Sequence, residues 1–163
     1  MSRLKETMKI NELTYSLFRP KPWHLFRENF QKMNFKKRIR FILQSLRGSF
    51  IYYALRNGEV VGYIVFGPGK GFRYPFTKEK DLIISPYVVK ESCRGQGIGT
   101  RILVDTGKLV PGRRIYAVVM NSNIASIKAM EKAWYKTISY ADHKGIQRKY
   151  ELCTGGEFII FFK

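Results

Sequence analysis

Val89-Lys90-Glu91-Ser92-Cys93-Arg94-Gly95-Gln96-Gly97-Ile98-Gly99-Thr100 is the stretch on which the reading of this chain turns. It follows a run of apolar and β-branched residues, Asp81 to Val89, and leads into helical apolar spacing from about Gly97 to Lys108. A strand therefore ends and a helix starts where the glycines cluster. Glycine lets a backbone approach a ligand closely, and the unpaired N–H groups of a helix N-terminus attract an anion. The chemistry implied is phosphate binding. An ordinary strand-to-helix connection uses the same residues, so spacing alone leaves both readings open. A dinucleotide-binding turn fits less well, because the spacing departs from G-x-G-x-x-G and the turn comes late in the chain. No P-loop lysine follows it.

Upstream, Pro86 interrupts the strand Asp81 to Val89. Proline has no N–H to give to a ladder, so a bulge or a parting from the neighbouring strand is expected there. Phe50 to Arg56 and Val60 to Phe66 form a predicted hairpin around Asn57-Gly58, which supplies the positive φ angles of a tight turn. Gly67 to Lys80 reads as an irregular loop. Leu13 to Phe18 is a first strand, stopped by Arg19-Pro20-Lys21-Pro22. Trp23, Phe26, Phe30 and Met33, then Phe35, Ile39, Ile42, Leu43 and Leu46, recur at helical spacing and predict two amphipathic helices. Downstream come a strand Arg114 to Val119, a helix from about Asn123 to Trp134, and strands Lys136 to Tyr140 and Phe158 to Phe162.

The chain has 163 residues, 45% of them hydrophobic and 15% aromatic, with no repeat or linker to divide it. This predicts one α/β (α+β) domain over 1–163. Its parts are a first strand and helices to about residue 49, a core from about 50 to 134, and C-terminal strands from about 135. With 30 Lys+Arg against 12 Asp+Glu, the net charge of +18 exceeds what internal ion pairs can neutralise, so an anionic partner is expected. Nucleic acid, anionic lipid and a phosphorylated small molecule all satisfy that requirement. Cys93 and Cys153 make a disulfide framework improbable, no Cys/His spacing suits a metal, and no apolar run approaches a membrane span. A reducing cytoplasm is the expected location.

Arg94-Gly95-Gln96-Gly97-Ile98-Gly99 resembles the R/Q-x-x-G-x-G/A motif of the GNAT superfamily of N-acetyltransferases at every fixed position. Val89 stands where the preceding valine belongs, and Glu91 where proline is common. Asn123, Ser126 and Ile127 are similar to the family's N-x-x-A/S-I helix, so the resemblance covers about Phe50 to Trp134. It implies a mixed sheet splayed at a bulge in the fourth strand and flanked by helices, with acetyl-CoA as co-substrate, a primary amine as acceptor and no metal. Backbone amides of Gln96, Gly97, Ile98, Gly99 and Thr100, after Gly95, would hold the pyrophosphate, with Arg94 adding charge. Val89 would pair with the pantetheine arm, flanked by Asn123 and Ser126. The Tyr87 amide would face the thioester oxygen as it becomes an oxyanion.

Departures from the family pattern fall on proton transfer. Many members carry a tyrosine seven residues after the helix asparagine as general acid, and here that position is Met130, which has no proton to give. Ile83 stands where histone-acetylating members have glutamate. Tyr135 and Cys93 read as core residues, and His24, His143, Asp81, Asp142 and Tyr140 remain as carriers that sequence does not distinguish. Ile84-Ser85-Pro86-Tyr87 is similar to an Ile-Gly-Pro-Tyr pattern of members linked to bacterial surface-polysaccharide synthesis. That resemblance implies an amino sugar on a nucleotide or lipid phosphate as acceptor. The charge surplus left after a coenzyme is bound predicts that basic residues of the N-terminal half, including some of Arg19, Lys21, Arg27 and Arg73, recognise it. A protein N-terminus, a lysine or a small amine is the alternative acceptor, and a basic binding module that keeps the fold but has lost transfer is the alternative function.

Overall fold

The computed structural model describes residues 7–10, 12–18, 48–69, 76–138 and 158–163. The strands are β1 (Thr7–Ile10), β2 (Leu13–Phe18), β3 (Phe50–Arg56), β4 (Glu59–Pro68), β5 (Leu82–Val89), β6 (Ile115–Met120), β7 (Lys136–Thr137) and β8 (Phe158–Phe162). Two described helices, α1 (Ile98–Leu109) and α2 (Ile124–Lys132), follow β5 and β6 respectively. One eight-stranded sheet results, in the order β1-β2-β3-β4-β5-β6-β8-β7. Among the described strands the β5/β6 contact alone is parallel, and α1 is the crossover that such a pair requires.

Local chemistry accounts for the boundaries. Asn57 and Gly58 have φ of 53° and 82°, the left-handed pair that a two-residue hairpin between β3 and β4 requires. The predicted loop after Phe66 starts later, since β4 runs on to Pro68. β1 was not foreseen: Met8 is exposed and the strand carries a lysine, as suits an edge strand, and four residues are too short a run for their alternation to mark a strand. The strand expected as the fourth is consequently the fifth. Of the predicted strand 136–140, Lys136–Thr137 is assigned and Ile138 N–H donates to the Ile160 carbonyl, while residues 139–140 lie outside the described residues. The two predicted helices around residues 23–46 lie outside the described residues.

α1 sits against β4 and β5. Gly62 makes that approach possible, for a Cβ there would lie 3.0 Å from Ile102 Cδ1 and 2.7 Å from the Val88 carbonyl oxygen. Ile98, Ile102, Leu103 and Leu109 of α1 and Met130 of α2 join Tyr15, Ile64, Phe66, Leu82 and Ile84 in the main core. Ile83, Tyr116 and Ile160 form a smaller cluster with Phe76 and Phe162. Strand alternation thus sends Leu82 and Ile84 to one cluster and Ile83 to the other.

Polar ties hold α1 on the sheet. Tyr15 Oη donates to Asp105 Oδ2 at 2.7 Å, both residues being buried. Tyr52 Oη donates to the Leu109 carbonyl at 3.0 Å. Thr106 Oγ1 and Tyr135 Oη lie 2.8 Å apart. Burial raises the pKa of both Tyr15 and Tyr135 above the ordinary phenol value, Tyr15 further through its bond to Asp105.

Candidate active site

β5 changes character halfway along. Against β4 it pairs over nearly its whole length, from Pro68↔Leu82 to Gly62↔Val89, with Phe66 opposite Ile84 and Ile64 opposite Tyr87. Val65 is therefore the lone residue facing Ser85-Pro86, which is the bulge that the proline predicts. Against β6 the pairing is short: Leu82↔Ile115, Ile83↔Tyr116 and Ile84↔Ala117, and nothing beyond. From there β6 continues beside β8 up to Met120↔Phe158. A gap thus opens between the second half of β5 and the second half of β6.

The bulge also decides which backbone groups face that gap. Successive residues of a strand turn their N–H and C=O to opposite neighbours. Leu82 N–H donates to the Arg114 carbonyl just before β6, at 2.9 Å, so even-numbered residues face β6 at this end. Lys90 N–H donates to the Val61 carbonyl of β4, also at 2.9 Å, so at the far end even-numbered residues face β4. The extra residue at Ser85-Pro86 makes the switch. Tyr87 and Val89 consequently turn their backbone donors and acceptors into the gap, while their side chains pack toward α1 and the main core.

The turn between β5 and α1 closes one end of the gap. Glu91–Cys93 forms a short 3-10 turn, with Arg94 N–H donating to the Glu91 carbonyl at 3.1 Å. Gly95 and Gly97 then have φ of 75° and 73°, left-handed values that other residues adopt only at a cost of about 1–2 kcal/mol. Gly97 is the N-cap of α1 without a side-chain cap, and the first turn of α1 holds no acidic residue. Arg101 N–H is the first to bond back, to the Gly97 carbonyl at 2.9 Å. Ile98, Gly99 and Thr100 therefore lack an i−4 partner and direct their N–H groups out of the helix end. Ile98 buries its side chain in the core, which leaves its backbone as the part it offers. Nothing lies within 4 Å of where a Cβ would stand on Gly95 or Gly97.

Two side chains brace this turn. Gln96 Oε1 accepts from Arg56 Nη1 at 3.0 Å, and Gln96 Nε2 donates to the Ser92 carbonyl at 3.2 Å. Arg56, at the end of β3, adds a cation beside the loop. Its place was not read from the sequence, since hairpin register about Asn57-Gly58 sets it opposite Glu59 without locating the turn after β5. Arg94 is exposed, 3.9 Å from Glu91.

The far wall comes from α2. Asn123 Oδ1 caps this helix by accepting from Ser126 N–H at 3.1 Å, so the asparagine's side chain is spent on shaping the helix start. Ser126 Oγ lies 3.5 Å from Tyr87 Oη, across the space between the walls. Met130 is a core residue, 1% exposed. Tyr135 and Cys93 are buried as expected of core residues, and Ile83 is buried in the smaller cluster. Asp81 accepts from Lys78 N–H at 2.6 Å in the turn before β5. Among the described residues no cluster of three or more His, Cys, Asp or Glu could hold a metal, and no helix is long and apolar enough to cross a membrane. His24, Tyr140, Asp142, His143 and the cations Arg19, Lys21, Arg27 and Arg73 lie outside the described residues.

An open parallel pair, backbone donors turned into the opening and an uncapped helix end at its mouth are features that suit an acyl-coenzyme A acyltransferase. Residues 10–134 match the model of the acetyltransferase (GNAT) family, and the chain belongs to that family, with acetyl-CoA as its co-substrate. Solved structures agree in fold. An aminoglycoside acetyltransferase, AAC(6')-Ib, in complex with coenzyme A and kanamycin is similar at TM-score 0.61 and 18% identity, over 91% of this chain and 94% of that one. A ribosomal-protein-S5-alanine acetyltransferase from Vibrio fischeri is similar at TM-score 0.56 and 14% identity, over 98% and 96%. An acetyltransferase from Thermus thermophilus is similar at TM-score 0.57 and 19% identity, over 91% and 96%. Comparison with curated proteins finds no match.

Proposed function

We propose that the chain transfers the acetyl group to a primary amine by direct attack on the thioester, in the gap between β5 and β6. The observation that carries this is the pairing of those strands, which stops at Ile84↔Ala117. In this reading the pyrophosphate lies on the amides of Gln96 to Thr100, with Arg94 and Arg56 supplying positive charge. The pantetheine arm takes the place of the missing strand and pairs with the Val89 backbone. The Tyr87 N–H, two residues earlier on the same side, meets the carbonyl oxygen as negative charge develops there. The amine must be neutral to attack, and its proton passes to water or to a base on the acceptor side.

For the acceptor we favour an amino sugar carried on a nucleotide or lipid phosphate. A surplus of 18 cations over anions leaves much positive charge without an assigned partner once the coenzyme is bound, and the Ile84-Ser85-Pro86-Tyr87 segment is similar to that of polysaccharide-linked members. The test is an acceptor panel run at low and high salt with acetyl-CoA. It holds a nucleotide-linked amino sugar, the free amino sugar, a lysine peptide, a polyamine and an aminoglycoside, the last because kanamycin is bound by the aminoglycoside enzyme of like fold. The phosphorylated sugar is expected to react best, with a KM that rises steeply with salt because exposed charges are screened over about 8–10 Å. Preference for the polyamine or the aminoglycoside would refute the anionic acceptor and leave acetyl transfer in place. Coenzyme binding without turnover on any amine would favour a binding module instead.

A further inference from the structure

The transfer proposed above leaves one proton without a donor. When the C–S bond breaks, the electron pair goes to sulfur, and a thiolate departs more readily if it is protonated as it leaves. α2 offers nothing at Met130, which is buried and has no acidic proton. Three other phenols of the core are engaged elsewhere: Tyr15 with Asp105, Tyr52 with the Leu109 carbonyl, Tyr135 with Thr106.

Tyr87 is placed differently. Its ring lies on the α1 side of β5, with Cε2 3.5 Å from where a Cβ on Gly99 would stand. Its hydroxyl crosses to α2 and stops 3.5 Å from Ser126 Oγ, beyond the usual O–H···O range of about 2.5–3.0 Å, so the phenol proton is not committed to a short bond. Ser126 is four residues before Met130, on the same stripe of α2 and about 6 Å along its axis. The hydroxyl of Tyr87 thus arrives, from the opposite wall, beside the stripe on which a helix-borne acid would stand. The same residue turns its N–H into the gap.

We propose that the Tyr87 side chain is the general acid for the departing coenzyme. This rests on the coenzyme reading given above. In the step, the amine nitrogen bonds to the acetyl carbon, the C–S bond breaks, and the Tyr87 Oη proton passes to sulfur. The phenolate regains a proton from water admitted beside Ser126, and the amine gives up its own to water, so amine and acetyl-CoA become amide and free thiol with no net proton change.

The experiment uses the full chain with acetyl-CoA, measuring coenzyme A affinity by calorimetry and thiol release with water and with the best amine of the panel. Tyr87→Phe keeps the ring against Gly99 and should leave the coenzyme A Kd within about twofold while lowering kcat by ~10–100-fold. The fall of kcat at alkaline pH that a general acid imposes should vanish in this variant. A kcat within about twofold of the parent, or a lowered kcat with the alkaline fall intact, would overturn the proposal. Failure of the parent chain to bind coenzyme A would instead defeat the underlying reading. Should Tyr87→Phe not fold, Ser126→Ala is the second variant: it should lower kcat about 3- to 10-fold at unchanged affinity, and an unchanged kcat would count against the phenol.

Discussion

The two flanks of β5 differ in one respect that matters more than any side chain. Its β4 flank is zipped from Leu82 to Val89 with a single irregularity, and its β6 flank is zipped only from Leu82 to Ile84. The closed flank buries hydrogen bonds between strands and anchors α1 through Gly62. The open flank leaves the same kinds of backbone group unspent, and the bulge at Ser85-Pro86 selects which residues present them. In the proposed reading a binding site is made by withholding pairing from a strand that could have had it, since unpaired backbone groups are tolerated where a ligand or water will meet them.

Mutations separate the flanks. The largest expected effect is on the open one. In Gly99→Glu the new side chain starts 3.4 Å from Val89 Cγ2 and 3.5 Å from Tyr87 Cε2 and brings a carboxylate to the helix end. Coenzyme A affinity measured by calorimetry should fall ~100-fold or more, the scale of losing two charge-assisted hydrogen bonds. Gly99→Ala makes only the same ordinary contacts and should stay within about threefold. On the closed side, Asp105→Ala removes the acceptor of the buried Tyr15 hydroxyl, and chemical denaturation should report a loss of about 2–3 kcal/mol with coenzyme affinity retained.

Tyr15 and Tyr135 also set a pH dependence. Their folded pKa values are raised above the ordinary 10.0, so above that pH the unfolded chain releases protons that the native chain keeps. Stability should therefore fall as pH rises past 10, and the fall should be shallower in Tyr135→Phe. The smallest effect is at the end of α2, where Trp134 has φ of 64° and is 82% exposed. Trp134 and Tyr135 N–H bond back to the Glu131 and Met130 carbonyls at 3.0 and 3.1 Å, a helix ending that favours glycine. Trp134→Gly should raise stability by about 1 kcal/mol in thermal or chemical denaturation.

Local signals were legible where one chemistry dominated. Asn57-Gly58 foretold the hairpin, Pro86 the bulge, and the glycines between Arg94 and Gly99 the turn into α1. Asn123 was legible as a helix start, but its capping of Ser126 shows a structural duty that a motif does not display. What stayed hidden depends on which residues face each other across the sheet. Arg56 reaches Gln96 over 40 positions of sequence, and Tyr87 reaches Ser126 over 39. β1 escaped because its alternation, Thr7-Met8-Lys9-Ile10, spans four residues only. Met130 could be read as lacking a proton, yet its burial follows only from how α2 packs.

Residue-resolved amide hydrogen exchange, with and without coenzyme A, tests the central claim most directly. Val88 and Lys90 face β4 and should be protected in both states, whereas Tyr87, Val89 and the amides from Gln96 to Thr100 should exchange readily in the free protein and slow when coenzyme A binds. Coenzyme A bound with exchange at Tyr87 and Val89 unchanged, or protection already complete in the free protein, would contradict the account.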